Sequence, residues 1–143
     1  MSIKQISVFV ENKPGALSAM TQVLAEQGVD MRALSLAETK DFGIVRIIVD
    51  KVYEATTALK DAGYVHSVTP VLGVRIPDMP GGLYRVLQVL TDAKVNVEYM
   101  YAFVGNQDGH AVVVMRTDNA ETALQALEDN HVSTLDPKDI YRL

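Results

Sequence analysis

Hydrophobic and polar residues alternate from Ile3 to Val10, placing Ile6, Val8 and Val10 on one face and Ser7 on the other. A period of two predicts a half-buried strand. After Asn12-Lys13-Pro14-Gly15 the spacing changes, and Leu17, Met20, Val23 and Leu24 form a helical stripe that Gly28 ends. Proline at a first helical position loses no useful N–H and has its φ preset, so the helix is expected to open at Pro14. Further strands are predicted over Met31 to Glu38 and Ile44 to Asp50, then a helix from Tyr53 to Ala62 and a short strand from Val65 to Thr69.

The same order then recurs: strand Val71 to Ile76, a helix with Leu83, Val86, Leu87 and Leu90 inward, strands Val97 to Val104 and His110 to Arg116 joined through Gly105 to Gly109, a helix from Ala120 to Asp129, and a short strand over Val132 to Leu135. The recurrence is literal in places. Pro14 and Pro80, Gly15 and Gly81, Leu17 and Leu83, Gln22 and Gln88, Leu24 and Leu90, Val29 and Val95, and Gly43 and Gly109 all stand 66 residues apart. The chain is therefore read as an internal duplication. Its expected fold class is α+β: two tandem ferredoxin-like βαββαβ units, residues 1–69 and 70–143, each an antiparallel sheet with both helices on one face. Only Pro70 separates the strand that ends the first unit from the strand that opens the second.

Composition narrows the function. A net charge of −5 argues against a nucleic-acid partner, and three Phe with no Trp leave few platforms for stacking bases. No apolar run approaches the roughly 18 residues of a membrane helix, and the N-terminus lacks a signal-peptide pattern. The absence of cysteine removes thiolate nucleophiles, iron–sulfur clusters and cysteine zinc sites, and suits a cytoplasmic protein. His66, His110 and His131 lack metal-ligand spacing and read as solvated or turn positions. Asp136 to Asp139 reads as a turn, and no nucleophile elbow, Walker loop or dinucleotide fingerprint occurs. No catalytic residue, metal or cofactor is expected.

The two Pro-Gly turns carry the chemistry that remains. Glycine between strand and helix leaves room for a ligand at the backbone, and the helix start offers unpaired N–H groups suited to a carboxylate. Asn12 or Asp78, just before, could accept from an ammonium group. The other reading of the spacing is that Asn12 and Asp78 only cap the turns while Pro-Gly sets their geometry.

A βαββαβ unit with a D/N-x-P-G-x-L turn after its first strand resembles the ACT domain, a regulatory module that binds amino acids. The matching residues are Asn12, Pro14, Gly15 and Leu17, and again Asp78, Pro80, Gly81 and Leu83, with Ala16 answered by Gly82 and Lys13 by Met79. The resemblance implies a ligand-binding stretch of Asn12, Pro14, Gly15, Ala16 and Leu17 in the first copy, and of Asp78, Met79, Pro80, Gly81, Gly82 and Leu83 in the second. It implies a cytoplasmic regulatory protein that binds a free amino acid and acts on an enzyme of amino-acid metabolism. The alternative is a structural or interaction subunit without a ligand, and an unrecognised small enzyme is a third reading.

Two surfaces are also expected from the pattern. Tyr99, Tyr101 and Phe103 alternate with Met100 and Ala102, whose counterparts Leu34 and Leu36 are assigned to the helix-covered face. The aromatics, with Val112 and Val114, then form an open apolar face suited to a homodimer. Ile140 to Leu143 reads as an extended tail that adds to a sheet edge.

Overall fold

The computed structural model describes residues 2–142, with only the backbone for residues 105–107, 141 and 142. Contacts divide the chain into two units, residues 4–69 and residues 70–142 together with 2–3.

In the first unit, β1 (Ile3–Glu11), β2 (Met31–Glu38) and β3 (Phe42–Val49) form an antiparallel sheet. β3 lies between the other two, pairing Ile47 with Ile6 on one side and with Leu34 on the other. The helices α1 (Ala16–Glu26) and α2 (Val52–Asp61) pack on one face of it. The alternation that marks β1 sends Ile6, Val8 and Val10 into that face, where they meet Met20 and Leu24 of α1, Val45 and Ile47 of β3, and Ala55 and Leu59 of α2. Burial of these branched side chains is the main stabilising term of the unit.

The second unit repeats the plan with α3 (Gly82–Asp92), β5 (Val97–Gln107), β6 (His110–Thr117) and α4 (Ala120–Asp129). Its opening strand is the later part of β4 (His66–Pro77), which pairs antiparallel with β6. Val74 and Ile76, Val86 and Leu90, Val113 and Met115, and Ala123 and Leu127 form its core. Both units are thus α+β, with antiparallel strands and both helices on one face.

The structure differs from the sequence-based expectation in several places. Pro70 does not separate two strands, because β4 runs unbroken through it. The closing strand expected over Val132 to Leu135 is reduced to one antiparallel bridge, Val74 to Thr134, flanked by the bonds from Arg75 N to Ser133 O and from Leu135 N to Gly73 O. β5 extends to Gln107, so the hairpin turn shrinks to Asp108-Gly109, with φ of 49° and 75°. Two positive φ values are what a two-residue type I′ hairpin requires. This hairpin pairs Gln107 with His110, whereas the first unit pairs Glu38 with Gly43. The longer β5 shifts the structural correspondence between copies from 66 to 68 residues, matching Phe42–Val49 to His110–Thr117 and Val52–Asp61 to Ala120–Asp129. The identity of Gly43 with Gly109 is therefore coincidental: one lies in a strand, the other in a turn.

The aromatic face is not open. Phe103, Val112 and Val114 are 5%, 2% and 0% exposed within the single chain, and the stacked Tyr99 and Tyr101 are half-buried. Leu34 and Leu36 do face the helix side, opposite Ile47 and Val45, yet both remain exposed because the helices cover only those neighbours. The tail is not extended either. Pro137–Arg142 forms a 3₁₀ turn in which Asp136 N donates to Asp139 Oδ2 at 2.8 Å and Asp139 N to Asp136 O at 2.9 Å. This turn buries Ile140 to 4% exposure, which a strand added at an edge would not need; Leu143 lies outside the described residues.

Two substitutions test the packing. A Cβ added at Gly82 would run into the Pro77 carbonyl oxygen, so Gly82→Ala should lower stability by about 1–3 kcal/mol in chemical denaturation. Asn119 caps α4 by accepting from Thr122 N at 3.0 Å, and Asn119→Ala should cost about 1 kcal/mol by the same measurement.

Candidate functional site

Each copy turns from strand into helix through the same backbone device. Lys13 N bonds to Glu11 O at 3.0 Å and Ala16 N to Lys13 O at 3.2 Å, while Gly15 sits at φ 84° and ψ −14°. Proline followed by a residue at positive φ, closed by a bond from the fourth residue to the first, is a type II turn. The second copy repeats it, with Met79 N to Pro77 O at 2.9 Å, Gly82 N to Met79 O at 3.0 Å, and Gly81 at φ 83° and ψ −3°. Helix α1 therefore begins at Ala16 rather than at Pro14, and Pro14 serves the turn, where its fixed φ suits the second position. A Cβ built at Gly15 or Gly81 would meet nothing within 4 Å, so the positive φ, not crowding, demands glycine there.

The helix starts these turns present share one combination of features that α2 and α4 lack. Neither α1 nor α3 has a side-chain cap or an acidic residue in its first turn. By contrast, Asn119 caps α4, and α2 and α4 carry Glu54 and Glu121 in their first turns. The first α-helical bonds run from Ala19 N to Gly15 O and from Arg85 N to Gly81 O. The amides of Leu17 and Ser18, and of Leu83 and Tyr84, thus precede the first intrahelical bond and bring the positive end of the helix dipole with them.

Asn12 and Asp78 have diverged. Asn12 Nδ2 donates to Thr39 O at 3.3 Å, and Asn12 N to Asp41 O at 3.2 Å, which ties this turn to the β2–β3 hairpin and leaves the side-chain oxygen to accept. Asp78 N bonds to Gly109 O at 2.9 Å, but its exposed carboxylate makes no hydrogen bond or ion pair among the described residues. Lys13 is exposed and paired with Glu11 at 3.0 Å.

Two depressions flank the first turn. One, of 540 Å³, includes Pro14, Gly15 and Ala16 together with Phe9, Ala19 and Tyr64. The other, of 300 Å³, includes Asn12 and Leu17 with Leu36 and Glu38. The candidate residues of the first copy are thus split between two sides of one turn. In the second copy a 250 Å³ pocket takes in Gly82 but not Asp78, Met79, Pro80, Gly81 or Leu83, and its lining includes His110 and His131. Those histidines, expected as solvated or turn positions, share one cavity wall. Sequence spacing missed this because the two histidines belong to different elements, and only the fold brings them to one pocket. Among the described residues, no group of three or more His, Asp or Glu is placed to hold a metal ion, and no helix is long and apolar enough to cross a membrane.

The fold has solved counterparts. Protein BT0572 from Bacteroides thetaiotaomicron superposes with a TM-score of 0.93 at 40% identity, covering 100% of this chain and 98% of that one. The regulatory subunit of aspartate kinase from Thermus thermophilus, in its ligand-free form, superposes with a TM-score of 0.64 at 20% identity over 88% of this chain and 91% of its own. Its counterpart from Thermus flavus gives a TM-score of 0.61 at 18% identity, over 90% and 92% of the two chains. These two share the fold. No curated protein matches the chain. The family described as an ACT domain pair matches residues 1–143, and the chain belongs to it.

Proposed function

We propose that this ACT domain pair senses a free amino acid at its Pro-Gly turns and regulates an enzyme of amino-acid metabolism, without catalysing a reaction itself. The observation that carries the reading is the contrast among helix starts: α1 and α3 begin uncapped and free of acidic residues, beside open space at Gly15 and Gly81. An α-carboxylate would occupy the place of the missing cap and accept from the first-turn amides. Asp78 supplies an unpaired carboxylate for the α-ammonium group in the second copy, and the Asn12 side-chain oxygen supplies a neutral acceptor in the first. The site on this reading comprises Asn12, Pro14, Gly15, Ala16 and Leu17, and Asp78, Met79, Pro80, Gly81, Gly82 and Leu83. The aspartate kinase regulatory subunits that share the fold supply the precedent for an enzyme partner. The soluble composition suits a cytoplasmic location.

A second reading, an interaction subunit without ligand, is favoured by one surface. Leu34 and Leu36, 43% and 53% exposed, stand on the same face of β2 beside the first turn. We assign that patch to a homodimer contact, which is compatible with ligand binding at the turns.

Thermal melts against the common amino acids separate the readings. At about a hundredfold excess over its dissociation constant, a ligand bound only by the folded state adds about 2.7 kcal/mol of stability. Decarboxylated and N-acetylated analogues should give no shift, and the ligand should be recovered unchanged. Asp78→Ala should weaken binding by about ten- to a hundredfold, in line with a charge-assisted hydrogen bond of roughly 1.5–3 kcal/mol. Melts that ignore every amino acid would sink the sensing function and leave the interaction subunit. For assembly, sedimentation of the wild type at tens of micromolar should show a dimer that Leu36→Glu dissociates; a monomeric wild type would rule the dimer out.

A further inference from the structure

The two copies carry the same groove with opposite chemistry. The bond from Phe9 N to Val65 O corresponds to that from Arg75 N to Ser133 O, which aligns the 540 Å³ depression of the first copy with the 250 Å³ pocket of the second. Phe9, Ala19 and Gly63, which line the first-copy depression, correspond to Arg75, Arg85 and His131 in the second, and Phe42, which packs on Phe9 outside that lining, corresponds to His110. In the first copy Phe9 and Phe42 pack as a tilted aromatic pair with centroids 6.1 Å apart, and the nearby charges, Glu11 and Lys13, neutralise each other. In the second, the aromatic pair is replaced by Arg75 and His110, and two further basic side chains join them.

We propose that this second-copy pocket binds a small anion, a carboxylate or a phosphate, between Arg75, Arg85, His110 and His131. Its lining contains two arginines and two histidines and no acidic residue, in a chain whose net charge is −5. Arg75 is fixed in place: Nη1 donates to Ser133 Oγ at 3.0 Å and to Thr134 O at 3.1 Å, and Nη2 lies 3.8 Å from Asp139 Oδ2. Ser133 accepts from Arg75 and so keeps its own hydroxyl proton to donate. His110 is oriented by the bond from Nδ1 to Asp108 O at 3.0 Å, a carbonyl that can only accept. The Arg85 guanidinium makes no hydrogen bond or ion pair among the described residues, so its five donors are available. Two guanidinium groups on one cavity suit planar, multidentate recognition of an oxyanion. The volume is below the roughly 300–1,000 Å³ of pockets for drug-sized ligands, and valines 86 and 89 add an apolar wall for a short carbon body.

The inference does not rest on the amino-acid reading, since these side chains call for an anion whether or not an ammonium group accompanies it. The test is calorimetric titration and thermal melting of the whole chain with inorganic phosphate and with acetate, against sodium chloride at matched ionic strength. At least one of the two probes should bind at one site per chain and raise the melting temperature above the chloride control; the stronger one identifies the head group. Arg85→Gln, which removes an exposed and unpaired side chain, should weaken that binding at least tenfold, and Arg85→Lys should restore part of it. Heat and melting responses no larger than those of chloride, or binding unchanged in Arg85→Gln, would overturn the proposal. A chain that responds to phosphate or acetate but to no amino acid would sustain it while removing the sensing function at the turns.

Discussion

Much of this molecule follows from the way a strand is made to hand over to a helix within four residues. β1 delivers the chain extended, and α1 must start at once if its apolar stripe is to land on the sheet. Proline fixes one dihedral of the turn, and glycine at φ 84° supplies the conformation that an L side chain resists. The bond that closes the turn uses the Ala16 amide, so the first free amides of the helix emerge beside the end of the strand. The position of the core and the presence of an uncapped helix start are therefore outcomes of one local constraint. The second copy obeys it with the same φ to within a degree.

The copies have nevertheless diverged around that shared turn. In the second, the Pro77 carbonyl oxygen stands where a Cβ of residue 82 would be, and glycine replaces the alanine of the first. The amide side chain of Asn12 is committed to the neighbouring hairpin, whereas the Asp78 carboxylate is left unpaired. A duplicated module whose backbone is held fixed can change its side chains freely, and the groove beside the turn shows how far: aromatic in one copy, basic in the other.

Element order, the two helix stripes and the Pro-Gly turns were legible in the sequence because each depends on local spacing. Val8 and Leu24 announce their burial through periodicity, and Pro14-Gly15 announces a turn through chemistry. What was not legible depends on register. The longer β5 extends one hairpin by two residues, and a constant 66-residue offset then pairs Gly43 with Gly109 instead of Ala111 and His131 with Val65 instead of Gly63. The aromatic strand was misjudged for a related reason: alternation shows which side chains share a face but not whether that face is covered. Phe103 proves to be buried. The tail was misjudged because Ile140 and Tyr141 have strand-like propensity, while the Asp136–Asp139 bonds that wind the segment into a 3₁₀ turn depend on a proline-bounded loop.

Arg75 places one guanidinium in two contests. It lines the basic pocket, and it also holds the segment that precedes and forms the C-terminal 3₁₀ turn, through Ser133, Thr134 and Asp139. Any occupant that draws the guanidinium inward loosens its hold on Asp139, the residue whose other bond winds that turn. By thermodynamic reciprocity, whatever pulls the turn away from Arg75 must alter the affinity of the pocket by the same factor. With the proposed anion bound, the salt bridge between Arg75 and Asp139 would therefore couple the pocket to that turn, so that occupancy is read where the turn meets solvent.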